Sequence, residues 1–482
     1  MTDQAPHTLK PATSNESSLY AVSQKIHPRK VKGANRTAKT IIVWLSLLFV
    51  ALVPWLRWDR GAGQPDQAIL FDFVAMRAYF FDTQIWPQEF YFLTGILVIA
   101  SIGLFLVTAL YGRVWCGFAC PQTVWTDIFV WIEHQMEGDR NARLKLDRAP
   151  WSAGKVVKKV AKHAAWLAVS LFTGASFLFF FNDAPSSAMG LLTGNAGLVL
   201  YGFVAFFCFM TYMMAGWARE QMCIYMCPWP RFQGAMLDHD SVVVSYDERR
   251  GEGRAHARLG QSFDGRGHCV DCRMCVQVCP VGIDIRDGVQ MECIGCGLCA
   301  DACDSVMPRF GLSTNLVGWR PFSHTAAEIA PPKRPWHRRP RLIVYGVLIA
   351  VTLAGMAVAA GQRKLLDMNV LHDRSPVSVM LSDGSIRNDY TLKIINRERA
   401  ERRLRLDVDG LAGGQIEVQN LGRSGDGPAL VAAADDVTIY RVSVRGPAAQ
   451  AGDVIAVEFR LTDLATGHTA TRPTTFIIGD AQ

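Results

Sequence analysis

Cysteine is missing from the first 115 residues and from everything after residue 303, although the chain has 482 residues and 13 cysteines. A disulfide framework is therefore excluded from the last third of the chain, and the thiols are reserved for one central stretch. Charge is scarce too, with 19% of residues charged and 50% hydrophobic, so a membrane portion is expected. No tract alternates basic residues with aromatics on a polar surface, which excludes a nucleic-acid platform, and the net charge of +7 is modest. No cleavable leader is expected, because residues 1–39 are polar and no small-residue cleavage site follows the first apolar run. The segment from Asn182 to Asn195 lacks Lys and Arg altogether.

What is present begins with apolar runs. Five segments are long enough to cross a bilayer as helices of about 20 residues: Ile41–Trp58, Phe90–Tyr111, Ala161–Phe181, Gly197–Trp217 and Leu342–Ala360. Lys25, Arg29, Lys30, Lys32, Arg36 and Lys39 gather before the first, and Arg113, Arg140, Arg143, Lys145, Arg148, Lys155, Lys158 and Lys159 separate the second from the third. By the positive-inside rule the amino terminus and residues 218–341 are expected in the cytoplasm, and an odd number of spans sends residues after 361 outside. The expected organisation is a largely disordered basic arm (1–39), a helical membrane domain (40–240), a cytoplasmic ferredoxin domain (241–340), a last transmembrane helix (341–361) and an external domain (362–482).

The ferredoxin assignment rests on two successive C-x2-C-x2-C-x3-C runs, Cys269-Cys272-Cys275-Cys279 and Cys293-Cys296-Cys299-Cys303. In two-cluster ferredoxins the fourth cysteine of each run ligates the other cluster. On that rule Cys269, Cys272, Cys275 and Cys303 hold one 4Fe-4S cluster, and Cys293, Cys296, Cys299 and Cys279 the other. Zinc also takes paired C-x2-C units, but it leaves the later cysteines of each run unemployed. Gly282, Gly295 and Gly297 are expected to let backbone amides approach the sulfurs.

A second set of cysteines lies where apolar spans end. Arg113-x2-Cys116-x3-Cys120-Pro121 follows the second span, and Arg219-x3-Cys223-x3-Cys227-Pro228 follows the fourth, so C-x3-C-P recurs at equivalent places in a repeated two-helix unit. A spacing of four is expected to put both sulfurs of a pair on one helical face, with the proline breaking the helix. Cys116, Cys120, Cys223 and Cys227 together would make a soft-metal site suited to Cu(I), zinc or an iron-sulfur centre. Met222 and Met226 flank the second pair. Cys208 reads as a buried packing residue, Glu133 and His134 as interfacial surface, and Arg113 and Arg219 as side chains reaching for headgroups.

From about Ser375 the hydrophobic period changes to two. Asp389–Asn396, Arg403–Val408, Gln415–Asn420, Val437–Val444 and Val454–Thr462 alternate apolar and polar residues between the turn signals Asp383-Gly384, Gly413-Gly414, Gly425-Asp426-Gly427 and Gly452-Asp453. This pattern predicts an antiparallel β-sandwich of immunoglobulin-like size, with no His or carboxylate cluster to suggest a metal site.

These motifs, with Cys279-Pro280-Val281-Gly282-Ile283-Asp284-Ile285-Arg286, Gln290, Glu292-Cys293-Ile294 and the tail pattern Arg387-Asn388-Asp389-Tyr390, Leu392-Lys393 and Asn396, resemble the cytochrome c oxidase accessory family CcoG, also called FixG or RdxA. The resemblance covers nearly the whole chain from about residue 35. It implies a bacterial inner-membrane protein with two 4Fe-4S clusters, a periplasmic Ig-like carboxy-terminal domain and a role in biogenesis of the cbb-type cytochrome c oxidase. It also implies a cupric reductase, converting Cu(II) to Cu(I), whose membrane cysteines map onto Cys116, Cys120, Cys223 and Cys227. Asp304 stands where the generic ferredoxin pattern has proline. Expected partners are the membrane, a cytoplasmic electron donor, copper chaperones or oxidase assembly factors, and a second copy of the chain. Two other functions compete: a quinol-oxidising ferredoxin-type subunit, and a redox-silent assembly scaffold.

Overall fold

The computed structural model describes residues 25–478 apart from 62, 323–334, 336–337, 420–421, 424–427 and 448–453. Residues 1–24 of the expected arm, and the turns at 425–427 and 452–453, lie outside the described residues. The described residues form two compact units, divided between Ala354 and Gly355.

In the first unit α1 (Ala34–Leu52) leads to a three-stranded antiparallel sheet of β1 (Ile69–Asp72), β2 (Arg77–Phe80) and β3 (Thr83–Ile85), which no sequence pattern foretold. Then come α2 (Tyr91–Tyr111), α3 (Val114–Phe118), α4 (Pro121–Met136), α5 (Arg140–Arg148), α6 (Ala153–Leu178), α7 (Ala184–Thr193) and α8 (Leu198–Tyr212). Two π-turns, Met213–Ala218 and Met222–Met226, precede α9 (Trp229–Met236). The cysteine-rich segment contains β4 (Val242–Tyr246), α10 (Glu248–Gly251), α11 (Met274–Gln277), α12 (Leu298–Val306) and β5 (Val317–Pro321), with β4 and β5 paired antiparallel; α13 (Pro340–Gly361) follows.

Among the described residues four helical stretches are long and apolar enough to cross a membrane: Ala34–Trp55, Pro87–Tyr111, Leu198–Ala218 and Pro340–Gly361. The expected fifth, Ala161–Phe181, falls in α6, whose opening turns carry Lys155, Lys158, Lys159 and Lys162. Beyond Lys162 the helix adds only ~24 Å at 1.5 Å per residue, less than the ~30 Å hydrocarbon core. Its far end nevertheless meets the far end of α1, with Phe180 stacked on Phe49 at 6.3 Å and Phe179 edge-on to Trp55 at 5.9 Å. Trp44, Leu45, Leu48 and Phe49 on α1 stand about half exposed or more, an apolar surface of the kind that hydrocarbon covers.

Residues 25–39 do not form the loose arm expected of them. The Arg29 amide donates to the Gln277 carbonyl at 2.9 Å, and the Asn35 and Arg36 amides donate to the Asp301 carboxylate at 3.2 and 2.7 Å. Asp301 lies on α12 between two cluster cysteines, so a carboxylate from the cysteine-rich segment caps the amino terminus of α1.

The second unit is a two-sheet antiparallel sandwich. One sheet has the order β11-β10-β13-β8-β6, with β7 on β8, and the other β12-β9-β14-β15. Its strands are β6 (Leu366–His372), β7 (Val379–Met380), β8 (Ile386–Asn396), β9 (Arg402–Asp409), β10 (Gln415–Val418), β11 (Gly422–Arg423), β12 (Ala429–Ala432), β13 (Asp436–Gly446), β14 (Val454–Asp463) and β15 (Thr469–Ile477). Alternate residues such as Leu392, Ile394, Leu404, Leu406, Phe459 and Leu461 are fully buried between the sheets, as the period of two requires.

Candidate metal centres

The two cysteine runs fold as loop-helix halves. Cys269 and Cys272 occupy a loop and Cys275 lies in α11, whereas Cys293 and Cys296 occupy a second loop and Cys299 and Cys303 lie in α12. The halves exchange their last cysteines. Cys303 faces Cys272 and Cys269, Cys275 faces Cys303 and Cys272, and Cys279 faces Cys296 and Cys293. Cys279, Cys293, Cys296, Cys299 and Cys275 line one small cavity whose other walls are aliphatic.

Burial pushes the Cys275, Cys279 and Cys303 thiols up to about 12 and Cys293 up to about 11. Thiols so reluctant to ionise become thiolates only against the positive charge of bound metal. The Gly295 amide donates to Cys293 Sγ at 3.4 Å. Four thiols per set, aliphatic surroundings and an amide aimed at sulfur fit a 4Fe-4S cluster in each half. Cys272 is exposed, so the first set reaches the surface.

The membrane-edge cysteines are placed by breaks in the chain. Cys116 lies in α3, but Cys120 has extended backbone and caps α4, with Pro121 at its first position. On the other side α8 widens into a π-turn, Arg219 adopts φ 39°, and Cys223 sits in a second π-turn that Cys227 ends in extended conformation. The expectation that each pair shares one helical face is thus corrected: the second cysteine of each pair has left the helix. π-turns of this kind re-aim side chains.

All four sulfur-bearing residues line a single cavity of about 210 Å³ within one chain, together with Met222, Arg113, Glu292 and Cys293. Met226 is 65% exposed and is not part of that lining. The Cys116 thiol donates to Gln233 Oε1 at 3.1 Å. Burial, with Cys120 and Cys223 close by, pushes Cys116 up to about 12, and Cys223 rises to about 11. Among the described residues no three His, Cys, Asp or Glu side chains close on a point as a three-ligand ion site requires. The four thiols surround a space.

The two cysteine systems are packed backbone to backbone. A Cβ on Gly117, between the first pair, would lie 2.8 Å from Cys296 Cα and from the Ile294 carbonyl oxygen. A Cβ on Gly295, which has φ 65°, would lie 3.2 Å from the Arg113 carbonyl carbon. Arg113 donates to the carbonyls of Cys293 at 3.2 Å, Pro230 at 2.8 Å and Met291. It is a clamp between the membrane edge and the second cluster loop, and not the headgroup-seeking side chain expected.

Family profiles match three stretches: a 4Fe-4S dicluster domain over residues 218–321, a 4Fe-4S binding domain over 93–136, and an IG-like fold at the C-terminal of FixG over 356–479. Protein RdxA of Cereibacter sphaeroides is 46% identical over 450 residues, 92% of this chain and 95% of that protein. Nitrogen fixation protein FixG of Rhizobium meliloti is 43% identical over 460 residues, 89% of this chain and 88% of that one. The chain belongs to the FixG/RdxA family. Protein RdxB of Cereibacter sphaeroides, 42% identical over 470 residues, matches 95% of this chain and 97% of its own length. With its apolar helices and 4Fe-4S domains, this FixG/RdxA member is a membrane iron-sulfur electron-transfer protein.

Several residues of the FixG-like signature prove to be internal ties. Arg286 pairs with Asp284 at 2.6 Å and Asp271 at 2.5 Å. Asn388 Oδ1 accepts from the Ile477 amide at 2.9 Å and Tyr390 Oη donates to the Thr475 carbonyl at 2.8 Å, joining the two sheets of the sandwich. Cys208 packs where α8 passes Gly174 of α6.

Sequence reasoning missed a buried charge network. Glu133, 1% exposed, pairs with Arg219 at 2.5 Å and Arg143 at 3.1 Å, and Glu137 pairs with Lys159 at 2.9 Å and Lys162 at 3.1 Å. Arg219 also lies 5.2 Å from the Trp166 ring centroid. Glu133 is therefore interior, and Arg219, four residues before Cys223, is held by the protein. Carboxylates amid aromatics and matching basic residues were the available signal.

Proposed function

We propose that this FixG/RdxA member transfers electrons to copper, reducing Cu(II) to Cu(I) at Cys116, Cys120, Cys223 and Cys227 in support of cbb-type cytochrome c oxidase biogenesis. The observation that carries the reading is the contact of Gly117 with Cys296, which joins the C-x3-C-P cavity to the second cluster loop. Bound 4Fe-4S clusters would supply single electrons, and each Cu(II) ion takes one. Cys269, Cys272, Cys275 and Cys303 would hold one cluster and Cys279, Cys293, Cys296 and Cys299 the other. The protein's own part is to bring copper beside that second set and to favour the product. Thiolates prefer Cu(I), and either C-x3-C pair offers two of them, with Met222 as a soft neighbour.

In this reading α6 is a fifth crossing, because its far end meets that of α1 and the lysines of its opening turns can reach the interface. The amino terminus and clusters then face the cytoplasm, where thiols stay reduced, and the sandwich faces the periplasm of the bacterial inner membrane. A cytoplasmic reductant and copper carriers or oxidase assembly factors would be its partners. The test uses anaerobically purified protein with reduced clusters, Cu(II), and a colorimetric Cu(I) chelator. Stoichiometric Cu(I) is expected from the parent, together with loss of copper binding in the Cys116→Ser/Cys120→Ser variant. No Cu(I) from the parent and unchanged copper binding by the variant would refute the proposal.

A further inference from the structure

A second cavity, of about 310 Å³, opens between residues 28–39, α4 and the second cluster loop. Its walls include Val278, Pro280, Val281, Ile294 and Leu298, each within two residues of Cys279, Cys293, Cys296 or Cys299. Its charges are unbalanced. Arg29, Lys30, Lys32, Arg36, Lys39 and His134 line it, against the carboxylates of Asp127 and Glu220, and just outside the lining Asp139 accepts from the Lys30 amide at 2.9 Å and lies near Arg29 and His134. Arg36 and Lys39 share the one carboxylate of Asp127, at 2.7 and 3.3 Å, although the Lys39 side chain is only 2% exposed. Arg219, also in the lining, is already answered by Glu133. With Arg36 and Lys39 answered by Asp127, the charge left for an anion is that of half-buried Arg29 and exposed Lys30 and Lys32, whose combined attraction an anion at the mouth would gain.

We infer that this cavity binds a phosphate-bearing anion, a soluble phosphate compound or an anionic lipid headgroup, beside the second iron-sulfur site. The cavity is large enough for a small ligand and is lined on one side by cations and on the other by the aliphatic cover of the cluster cysteines. Lys30 and Lys32 at the rim are exposed, while Arg36 and Lys39 lie deeper. An anion there opposes the addition of an electron next to it, so occupancy lowers the midpoint potential of the second cluster.

The experiment uses full-length protein with intact clusters. Pyrophosphate binding is measured by equilibrium dialysis in detergent, and the cluster potentials by redox titration with electron paramagnetic resonance. The titration is repeated in nanodiscs of phosphatidylcholine with and without phosphatidylglycerol. A soluble source predicts one saturable pyrophosphate site, weakened at least tenfold in Lys30→Gln/Lys32→Gln and unaltered in the surface control Lys145→Gln. A lipid source predicts that phosphatidylglycerol lowers the second potential in the parent but not in the double variant, with no pyrophosphate site. The inference is overturned if neither probe acts, or if the double variant responds like the parent. The potential readout rests on the iron-sulfur assignment and the dialysis does not, so the two can fail separately.

Discussion

Replacing Gly117 by alanine probes the junction on which the electron-transfer reading depends. The added methyl would sit 2.8 Å from Cys296 Cα and from the Ile294 carbonyl oxygen and 2.9 Å from the Cys296 amide nitrogen, whereas ordinary contact begins near 3.4 Å. All three atoms are backbone, in a loop held between Arg113 and α12, so no flexible side chain can yield. Overpacking of this kind costs about 1–3 kcal/mol, and alanine returns up to about 1 kcal/mol of helix propensity in α3. A net cost of up to about 2 kcal/mol displaces the second cluster loop from the C-x3-C-P cavity in part of the population. The assay is stopped-flow reoxidation of dithionite-reduced protein by Cu(II), read from cluster absorbance, alongside iron and labile sulfide content. Gly117→Ala should keep its iron and sulfide yet reoxidise several-fold more slowly, with a lower thermal midpoint. Gly103→Ala on α2, where the added methyl meets nothing within 4 Å, should match the parent. If Gly117→Ala keeps both parental stability and parental reoxidation rate, the close approach is irrelevant and the argument fails.

Two other perturbations test the charges beneath the site. Glu133→Gln leaves Arg219 and Arg143 buried with no carboxylate between them, and breaking such a pair costs about 3–5 kcal/mol, so the thermal midpoint in detergent should fall sharply, with partial recovery in Glu133→Gln/Arg219→Gln; an unchanged single variant would contradict the buried pairing. His27 is driven down to about 4 by burial, Arg143 and Lys25, and its neutral Nδ1 accepts from Arg143 at 2.9 Å. The unfolded chain therefore binds a proton near pH 6.5 that the fold refuses until about 4, so stability should fall as pH drops from 7 toward 4 and His27→Gln should flatten that decline. A decline of equal steepness in the variant would assign it to other groups.

The chain announced its cluster chemistry because ligation imposes local spacing. Cys269 to Cys303 carry the C-x2-C pattern within short loops, and any fold that uses it must keep those intervals. The sandwich was legible for a similar reason: burial of Leu392 and Ile394 with their alternation partners writes a period of two into β8, and the same holds for β9, β13 and β14. Apolar length marked the helices, although the lysines of α6 shorten its apolar run in a way that length alone concealed.

Other features required the tertiary structure, because they depend on residues far apart in the chain. Cys116 meets Cys223 and the second cluster loop only because α3 and the π-turns break two helices toward each other and Gly117 leaves room for Cys296. Glu133 looked like interfacial surface, since a carboxylate's partner is not encoded in its neighbours, and only packing α4 against α5 and Arg219 buried it. The basic residues from Arg29 to Lys39 resembled a topology signal. Folding laid them over the second cluster loop and gathered their charge around one cavity, which no local pattern specifies.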